Sequence, residues 1–311
     1  MKTVGIVLIN FNSWEETKEC LESLSHVVSD TAEVKIVLVD NASKESIKYQ
    51  VSSIKKKHKI TVSLIENTEN LGFAGGNNTG IRELLKEQVD YIMLLNNDTL
   101  VDKNFMDPLI ELFETEPNAG ISSPKIYFAP GYEFHKDRYK ESEKGNVIWY
   151  AGGSIDWDNV YASHRGVDEV DIGRYNSAKK TPFISGCCMI IKREVIEKIG
   201  VLDGRYFMYL EDVDFCMRAK QAGFGLWYVP QSYIWHKNAQ SSGKSGSDIH
   251  VYYQTRNRLL FGFRYASLRT KLALVRDSLR IVSKGGIRKK AVFDYYLGRL
   301  GKNINLSLRG A

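Results

Sequence analysis

Four runs of strand length occupy the first hundred residues, at 4–9, 34–39, 61–65 and 91–95. Helix-compatible stretches separate them, and strand plus helix repeats at roughly 30 residues, the length of a βαβ unit. That rhythm commits the chain to an α/β fold with a parallel sheet. The last run carries no charge and ends abruptly in Asn96, Asn97 and Asp98, the pattern of a central strand buried on both faces. Ligands of such sheets sit beyond the carboxyl ends of the strands. A carboxylate there, beside two amides, suits a divalent cation that itself holds phosphate oxygens. An aspartate capping the next helix would leave the same local sequence.

Ser13, with Glu16 three positions on, reads as a capping box for a helix to about residue 25. A lysine-rich helix is expected over 45–57. The third strand leads to the segment Asn70-Leu-Gly-Phe-Ala-Gly-Gly-Asn-Asn-Thr-Gly80, with a helix after it to about residue 87. Glycines 72, 75, 76 and 80 are expected to let backbone approach a ligand and to open that helix at its positive end. Beyond a helix at 103–115 and a strand at 122–128 the period is lost. A polar loop (131–147) and a tryptophan-rich segment (149–157) read as an insertion beside the sheet. Regular structure resumes with a strand at 183–191 and a short helix at 193–199. Segment 206–214 then runs into a helix to about 222, and a strand near 226–229 leads to 233–236. Residues 237–248 have the composition of a mobile loop, and from 249 onward the pattern is helical.

Composition excludes several classes. No window approaches 18 uncharged apolar residues, which argues against a spanning helix. Only Lys2 precedes the first apolar run and no cleavage site follows it, so no signal peptide is expected. The four cysteines (Cys20, Cys187, Cys188, Cys216) lack zinc-type spacing and read as reduced thiols of a cytoplasmic protein. No G-x-G-x-x-G fingerprint is present, and the first βα turn, Asn10 to Trp14, has no glycine, which argues against a nicotinamide-type enzyme. Residues 256–311 hold 14 Lys and Arg against Asp277 and Asp294, a net +12, whereas residues 1–255 carry −6. A basic tail on a mildly acidic body points the tail at something anionic.

Several side chains could do chemistry. Asp40, just past its strand, could accept from a nucleobase N–H or a ribose hydroxyl, or close an Asx turn. Glu211, Asp212 and Asp214 fall within four residues. Unless a cation or Arg218 offsets the repulsion, at least one should have a raised pKa, and a carboxylate tuned in that way suits a general base. His236, after another strand, becomes a metal ligand if it meets Asp98.

With these residues assembled, the chain resembles the family 2 glycosyltransferases, particularly the branch containing rhamnosyltransferases of surface-polysaccharide assembly. The resemblance covers about residues 3–263. It rests on Val39-Asp-Asn-Ala-Ser43, the Asn70 to Gly80 segment, Leu95-Asn-Asn-Asp-Thr99, Phe207-Met-Tyr-Leu-Glu-Asp-Val-Asp214, Trp235-His236 and Tyr252-Tyr-Gln-Thr-Arg-Asn-Arg258. It implies a GT-A fold, a nucleotide-sugar donor, Mn²⁺ or Mg²⁺, and inversion at the anomeric carbon. Asp98 matches the last aspartate of the family's metal-binding triplet and His236 its distal histidine ligand. Asp40 matches the residue that reads the base or ribose, and Asp212 the base aspartate, with Glu211 beside it. Asn10, Asn12, Asn70, Gly72, Gly76, Asn78 and Asn97 complete the candidate donor-binding set. The triplet here is Asn-Asn-Asp, with fewer carboxylates than in Asp-x-Asp members. Leu202-Asp-Gly204 stands where relatives read Phe-Asp-Glu, so a contact made by that glutamate is missing.

The expected organisation is a catalytic domain over 1–263 and a basic, amphipathic helical extension over 264–311. Leu259, Leu260, Phe261 and Phe263 just before that boundary and Leu268, Leu272, Leu274 and Val275 after it are interleaved with arginines. Either that apolar side packs on the domain, or the helices lie peripherally on the anionic inner face of the cell membrane, where a lipid-linked acceptor would be. Nucleic acid is not an expected partner, and self-association through the tail stays open. Two other functions fit parts of the chain. A sugar-nucleotide pyrophosphorylase usually opens with a glycine- and arginine-rich phosphate loop, absent from 4–14. A carbohydrate-binding module could use Trp149, Trp157 and Trp235 but would not need the acid cluster.

Overall fold

A computed structural model describes residues 1–238 and 246–303. Part of the 237–248 loop (239–245) and the last eight residues of the basic tail lie outside the described residues. The first half follows the expected alternation: β1 (Lys2–Asn10), α1 (Trp14–Leu24), β2 (Ala32–Asp40), α2 (Lys48–His58), β3 (Val62–Glu66), α3 (Gly72–Lys86) and β4 (Tyr91–Asn96). All four strands pair parallel, in the spatial order β4-β1-β2-β3. Val4, Ile6 to Leu8 and Tyr91 to Leu95 are buried, because helices cover both faces of the sheet.

The second half departs from pure βαβ order. β5 (Thr99–Val101) and α4 (Asp107–Thr115) precede β6 (Ala119–Phe128), and β7 (Ile148–Tyr150) pairs with β6. The tryptophan-rich segment therefore enters the main sheet in part. Only β8 (Gly153–Asp156) and β9 (Tyr161–His164) form a separate hairpin. After the two-residue β10 (Lys179–Lys180) comes β11 (Cys188–Lys192), which inserts antiparallel between β4 and β6. α5 (Arg193–Ile199) and α6 (Glu211–Gln221) lead to β12 (Gly225–His236), parallel to β6. A register shift between Val229 and Tyr233 admits Pro230, which has no N–H for the ladder. The ends of β4, β6 and β12 thus lie on one edge of the sheet.

Two local expectations are overturned. The glycine-rich segment is the first half of helix α3, not a loop ahead of it. A Cβ on Gly80 would stand 2.4 Å from Val7 Cγ1, and one on Gly76 3.0 Å from Ile9 Cδ1. Gly76 and Gly80, four apart and so on one helix face, let α3 lie close on β1; helix packing, rather than ligand approach, accounts for them. The capping box also fails to form. Ser13 precedes α1 without a side-chain cap bond, and its hydroxyl accepts from Asn97 Nδ2 at 2.8 Å instead.

The chain ends in α7 (Asp248–Tyr265), α8 (Leu268–Lys284) and α9 (Gly286–Tyr296). Ser247 and Ser267 cap α7 and α8 by accepting from His250 and Thr270 N–H. The 263/264 boundary falls in the last turn of α7. Leu259, Leu260 and Phe261 pack into the core, with Trp157 of the β8–β9 hairpin stacked on Phe261 at 5.8 Å. Leu274 is buried too, while Leu268, Leu272 and Val275 are exposed. The packing reading therefore holds for part of the tail's apolar residues, and the rest face solvent.

Gly80→Ala should destabilise the protein by about 1–3 kcal/mol through overpacking, although alanine favours a helix by roughly 1 kcal/mol over glycine. Adding Val7→Ala should recover part of that loss. Urea unfolding of the single and double variants measures both effects. Simple additivity of the two losses would show that Gly80 is not there to admit Val7.

Candidate active site

The ends of β1 and β2 carry Asn10 and Asp40, paired in register. Asn10 Nδ2 donates to Asp40 Oδ1 (2.8 Å) and Ser43 Oγ (3.0 Å), and Asn10 Oδ1 accepts from Thr17 (2.8 Å). Ser43 donates to Asp40 Oδ1 through its hydroxyl and to Oδ2 through its N–H. Asp40 therefore does close an Asx-type turn, and Asn10 holds its carboxylate in place. Asn12, at φ +52°, accepts from Lys44 N–H and donates its own N–H to Ser43 Oγ.

Next to them lies a web of carboxamides. Asn41 Nδ2 donates to Asn70 Oδ1 and Gly72 O, while Asn41 Oδ1 accepts from Asn67 Nδ2 and Leu71 N–H. Asn70 also accepts from Gly72 N–H. Gly72 sits at φ +71°, and a Cβ there would meet Phe207 O at 2.4 Å. The glycine thus serves a close approach to the 206–210 loop, whose Phe207 carbonyl also accepts from Ala74 N–H (3.1 Å). Asn78 is committed elsewhere. Its Nδ2 donates to Leu202 O at 2.8 Å and its Oδ1 accepts from Leu202 N–H at 3.0 Å, a buried clamp on the 202 backbone.

Across the edge, pairing of β5 with β12 sets His236 opposite Thr99 and so beside Asp98. His236 Nε2 lies 3.0 Å from Asp98 Oδ1; both residues are buried, and His236 Nδ1 has no partner. Trp149 packs edge-on against His236 on one side and His164 on the other, at centroid distances of 4.5 and 4.3 Å. Burial pushes the His164 pKa down to about 4, so that ring stays neutral. Asn97 turns away from Asp98 and donates to Ser13 Oγ and Thr17 Oγ1, both at 2.8 Å. Through these bonds it braces α1. Among the described residues no third His, Cys, Asp or Glu completes a metal cluster. One carboxylate and one imidazole with an orphaned nitrogen do not make a closed structural zinc site. They do fit an oxygen-seeking divalent ion whose other positions are filled by phosphate and water.

The acid cluster opens α6 and divides cleanly. Asp214 is fully buried and receives Arg218 Nε (2.9 Å), Arg264 Nη1 (2.9 Å), Tyr265 OH (2.8 Å) and Tyr206 OH (3.2 Å). It is a structural anchor. Asp212 stays partly exposed and accepts from Gly186 N–H at 2.9 Å. Desolvation holds its pKa above the usual carboxylate range despite that donor. Glu211 is buried with Oε2 unpartnered; burial first, then the charges of Asp212 and Asp214, pushes its pKa well up.

Asp212 is aimed by the loop before it, in which Phe207, Tyr209 and Leu210 all have left-handed φ of +65 to +68°. Each such non-glycine residue costs about 1–2 kcal/mol. Asn257 of α7 holds the loop: its Nδ2 donates to the carbonyls of Tyr206, Met208 and Tyr209 at 2.7–2.9 Å. Arg256 fixes that amide by donating from Nε to Asn257 Oδ1, and its Nη2 reaches the carbonyls of Arg205 and Tyr206. Sequence reading used Arg256 and Asn257 only as part of a motif, with no role, because their partners lie about 50 positions away. At Gly204 nothing stands within 4 Å of where a Cβ would be, so the place of the relatives' glutamate is open space.

Residues 186 and 187 join the two halves. Gly186 N–H binds Asp212, and Cys187 O accepts from Asn96 N–H (2.8 Å), two positions before Asp98. The buried Cys187 thiol is pushed well up, first by burial and then by Asp98, with Asp212 adding to it. Asp98, His236 and Asp212 are thus brought to one edge of the sheet. All four cysteines are free and buried. The tryptophans form no shared platform: Trp149 lies on His236, Trp157 on Phe261, and Trp235 donates its indole N–H to Gly145 O.

Comparison with known proteins accords with this arrangement. Residues 5–200 match the sequence profile described as Glycosyl transferase family 2. The low-salt glycan biosynthesis hexosyltransferase Agl10 of Haloferax volcanii is 26% identical over 258 residues, covering 83% of this chain and 74% of that protein. The N-acetylglucosaminyl-diphospho-decaprenol L-rhamnosyltransferase of Mycobacterium tuberculosis is 24% identical over 251 residues, 77% of each chain. Among solved structures, GalNAc-T7 with UDP, GalNAc and Mn²⁺ superposes over 94% of this chain with a TM-score of 0.66 and 17% identity. That match spans 54% of GalNAc-T7.

The Glu211 environment has a consequence for stability. The folded protein binds this proton more tightly than the unfolded chain does, so stability declines as pH rises from about 4.3 toward the raised folded pKa. Glu211→Gln should flatten that decline, read from urea midpoints at about pH 5 and pH 7.5. An equally steep decline in the variant would mean that Glu211 ionises as readily in the folded protein as in the unfolded chain.

Proposed function

The chain belongs to glycosyl transferase family 2, in its rhamnosyltransferase-like branch, and from that premise we propose that it transfers one sugar, with inversion, from a nucleoside-diphosphate donor to a hydroxyl of a glycan or lipid-linked acceptor. The fold is the GT-A fold. The rhamnosyltransferase name of one relative favours dTDP-rhamnose as donor, with UDP-hexoses next, in surface-polysaccharide synthesis. Its diphospho-decaprenol substrate favours a lipid-linked acceptor. A pyrophosphorylase has no support in the family match, and a purely binding role leaves Asp212 unexplained.

The observation that carries the reading is the pairing, at one sheet edge, of Asp98–His236 with a separately held carboxylate of raised pKa, Asp212. Asp98 and His236 would hold a divalent cation, Mn²⁺ or Mg²⁺, which when bound supplies positive charge to the diphosphate leaving group. Asp40 would accept from the base or ribose of the donor, with Asn10 and Ser43 fixing its carboxylate. Asp212 would take the proton of the acceptor hydroxyl as its oxygen bonds to the anomeric carbon and the bond from that carbon to the diphosphate breaks. A single displacement without a protein nucleophile inverts the centre. Desolvation makes Asp212 a stronger base than a free aspartate, and the Gly186 N–H keeps one oxygen oriented.

Asp212→Asn should lower transfer by about 10³-fold or more while donor affinity, read by calorimetry, stays within about twofold of wild type. Normal turnover in that variant would place the base elsewhere. His236→Ala should raise the Mn²⁺ or Mg²⁺ concentration needed for half-maximal activity by roughly tenfold or more. An unchanged metal requirement would remove His236 from the site.

A further inference from the structure

The extension leaves a second apolar surface open. On α8, Leu268 (74% exposed), Leu272 (62%), Val275 (41%) and Leu279 (68%) recur at i, i+4, i+7 and i+11, which places them on one face of the helix. The packed face is another one, formed by Thr270, Leu274 and Ser278. Exposed apolar side chains scattered singly need no explanation, but an ordered row does. Beside this row runs a second with the same spacing, Arg269, Arg276 and Arg280, all exposed and offset by about 100° around the helix. Among the described residues none of these three arginines, nor Lys271 or Lys284, is in an ion pair. The one acid of α8, Asp277, is taken by Arg258 at 2.6 Å. α9, joined to α8 by a Tyr296–Ser278 hydrogen bond, exposes Phe293, Tyr296 and Leu297.

We propose that the exposed face of α8 docks on an anionic lipid bilayer, with the leucine row entering the acyl boundary and the arginine row meeting acidic headgroups. The pairing of an apolar row with uncompensated cations selects this occupant. A second copy of the chain is disfavoured by the same charges. In a two-fold dimer through α8 the helix meets itself, and the arginine rows of both copies come together without acids to separate them. The surface is too short and too charged to insert: no helix among the described residues is long and apolar enough to cross a membrane. The inference itself needs no sugar transfer, and it stands or falls separately from the catalytic reading.

Vesicle flotation of the full-length protein, without donor or metal, tests it. At about 0.1 M salt the wild type should float with vesicles of phosphatidylcholine and phosphatidylglycerol and not with phosphatidylcholine alone. Leu272→Glu with Leu279→Glu should lower the bound fraction by roughly tenfold or more. Arg269→Gln with Arg276→Gln and Arg280→Gln should remove the preference for the acidic lipid. Thermal midpoints check folding, and the milder pair Leu268→Ser with Leu279→Ser replaces the glutamates if these lower it. The proposal is overturned if the wild type does not float with acidic vesicles, or if the variants float as well as it does. It is equally overturned if sedimentation shows a wild-type dimer that the leucine variants dissociate while none of the proteins binds vesicles.

Discussion

Three of the five residues from Tyr206 to Leu210 are wound against their own preference, and much of the molecule is arranged to keep them there. Three side chains in left-handed backbone cost together about 3–6 kcal/mol, on the scale of a domain's whole stability. The cost is offset by carbonyls that the turn exposes on one side and that α7 meets with one amide and one guanidinium. Both donor groups are buried, so neither could be left unmatched cheaply. The loop and the helix stabilise each other and neither is satisfied alone. Because Leu210 is followed directly by Glu211 and Asp212, the same bonds determine where the proposed base points. On the other side, the Phe207 carbonyl is bonded by Ala74 and crowded by Gly72, so the donor-side loops are seated on the same turn.

The acid cluster shows how one sequence pattern separates into three physical roles. Asp214, with two guanidiniums and two phenols around it, is fully engaged as an anchor between α6 and α7. Asp212 has backbone donors and partial solvent access, which leaves it ionisable. Glu211 has a buried oxygen with no partner, which favours the neutral acid. A neutral Glu211 spares Asp212 a second adjacent negative charge.

What could be read from the sequence divides along the range of the interactions involved. β1 to β4 and the uncharged run into Asp98 were legible because apolar periodicity and strand length are local. Asp98, His236 and Asp212 were legible as a set only through the family's motifs; hydrophobic pattern alone could not bring positions 98, 212 and 236 together. The antiparallel insertion of β11 was not legible, because a buried strand looks the same in either direction. Glycines 76 and 80 were misjudged for a related reason: close approach to β1 and close approach to a phosphate ask for the same missing Cβ. Asn10, Asn78 and Asn97 show the limit for amides. A carboxamide serves a nucleotide and a backbone carbonyl with the same donors and acceptors, and the partners of Asn78 lie 124 residues away.

The C-terminal helices belong to the catalytic arrangement as much as to any surface. Arg264 and Tyr265 both bind Asp214, just at the boundary where sequence pattern ends one domain and starts another. Farther on, Gly301 donates to the Arg205 carbonyl and accepts from Arg256, and Asn303 reaches Tyr252 and Tyr253. Cutting the chain near residue 264 would strip Arg264 and Tyr265 from Asp214 and the Gly301 carbonyl from Arg256, whatever the tail does at a membrane. Loss of lipid binding in such a fragment could reflect misfolding, and loss of activity could reflect a displaced base. The outward row of α8 is different, because Leu268, Leu272 and Leu279 touch solvent and contribute little to the packed side of the helix. Substitutions confined to that row change what the surface meets while leaving the α7 clamp intact, and only such changes can separate docking from the geometry of the site.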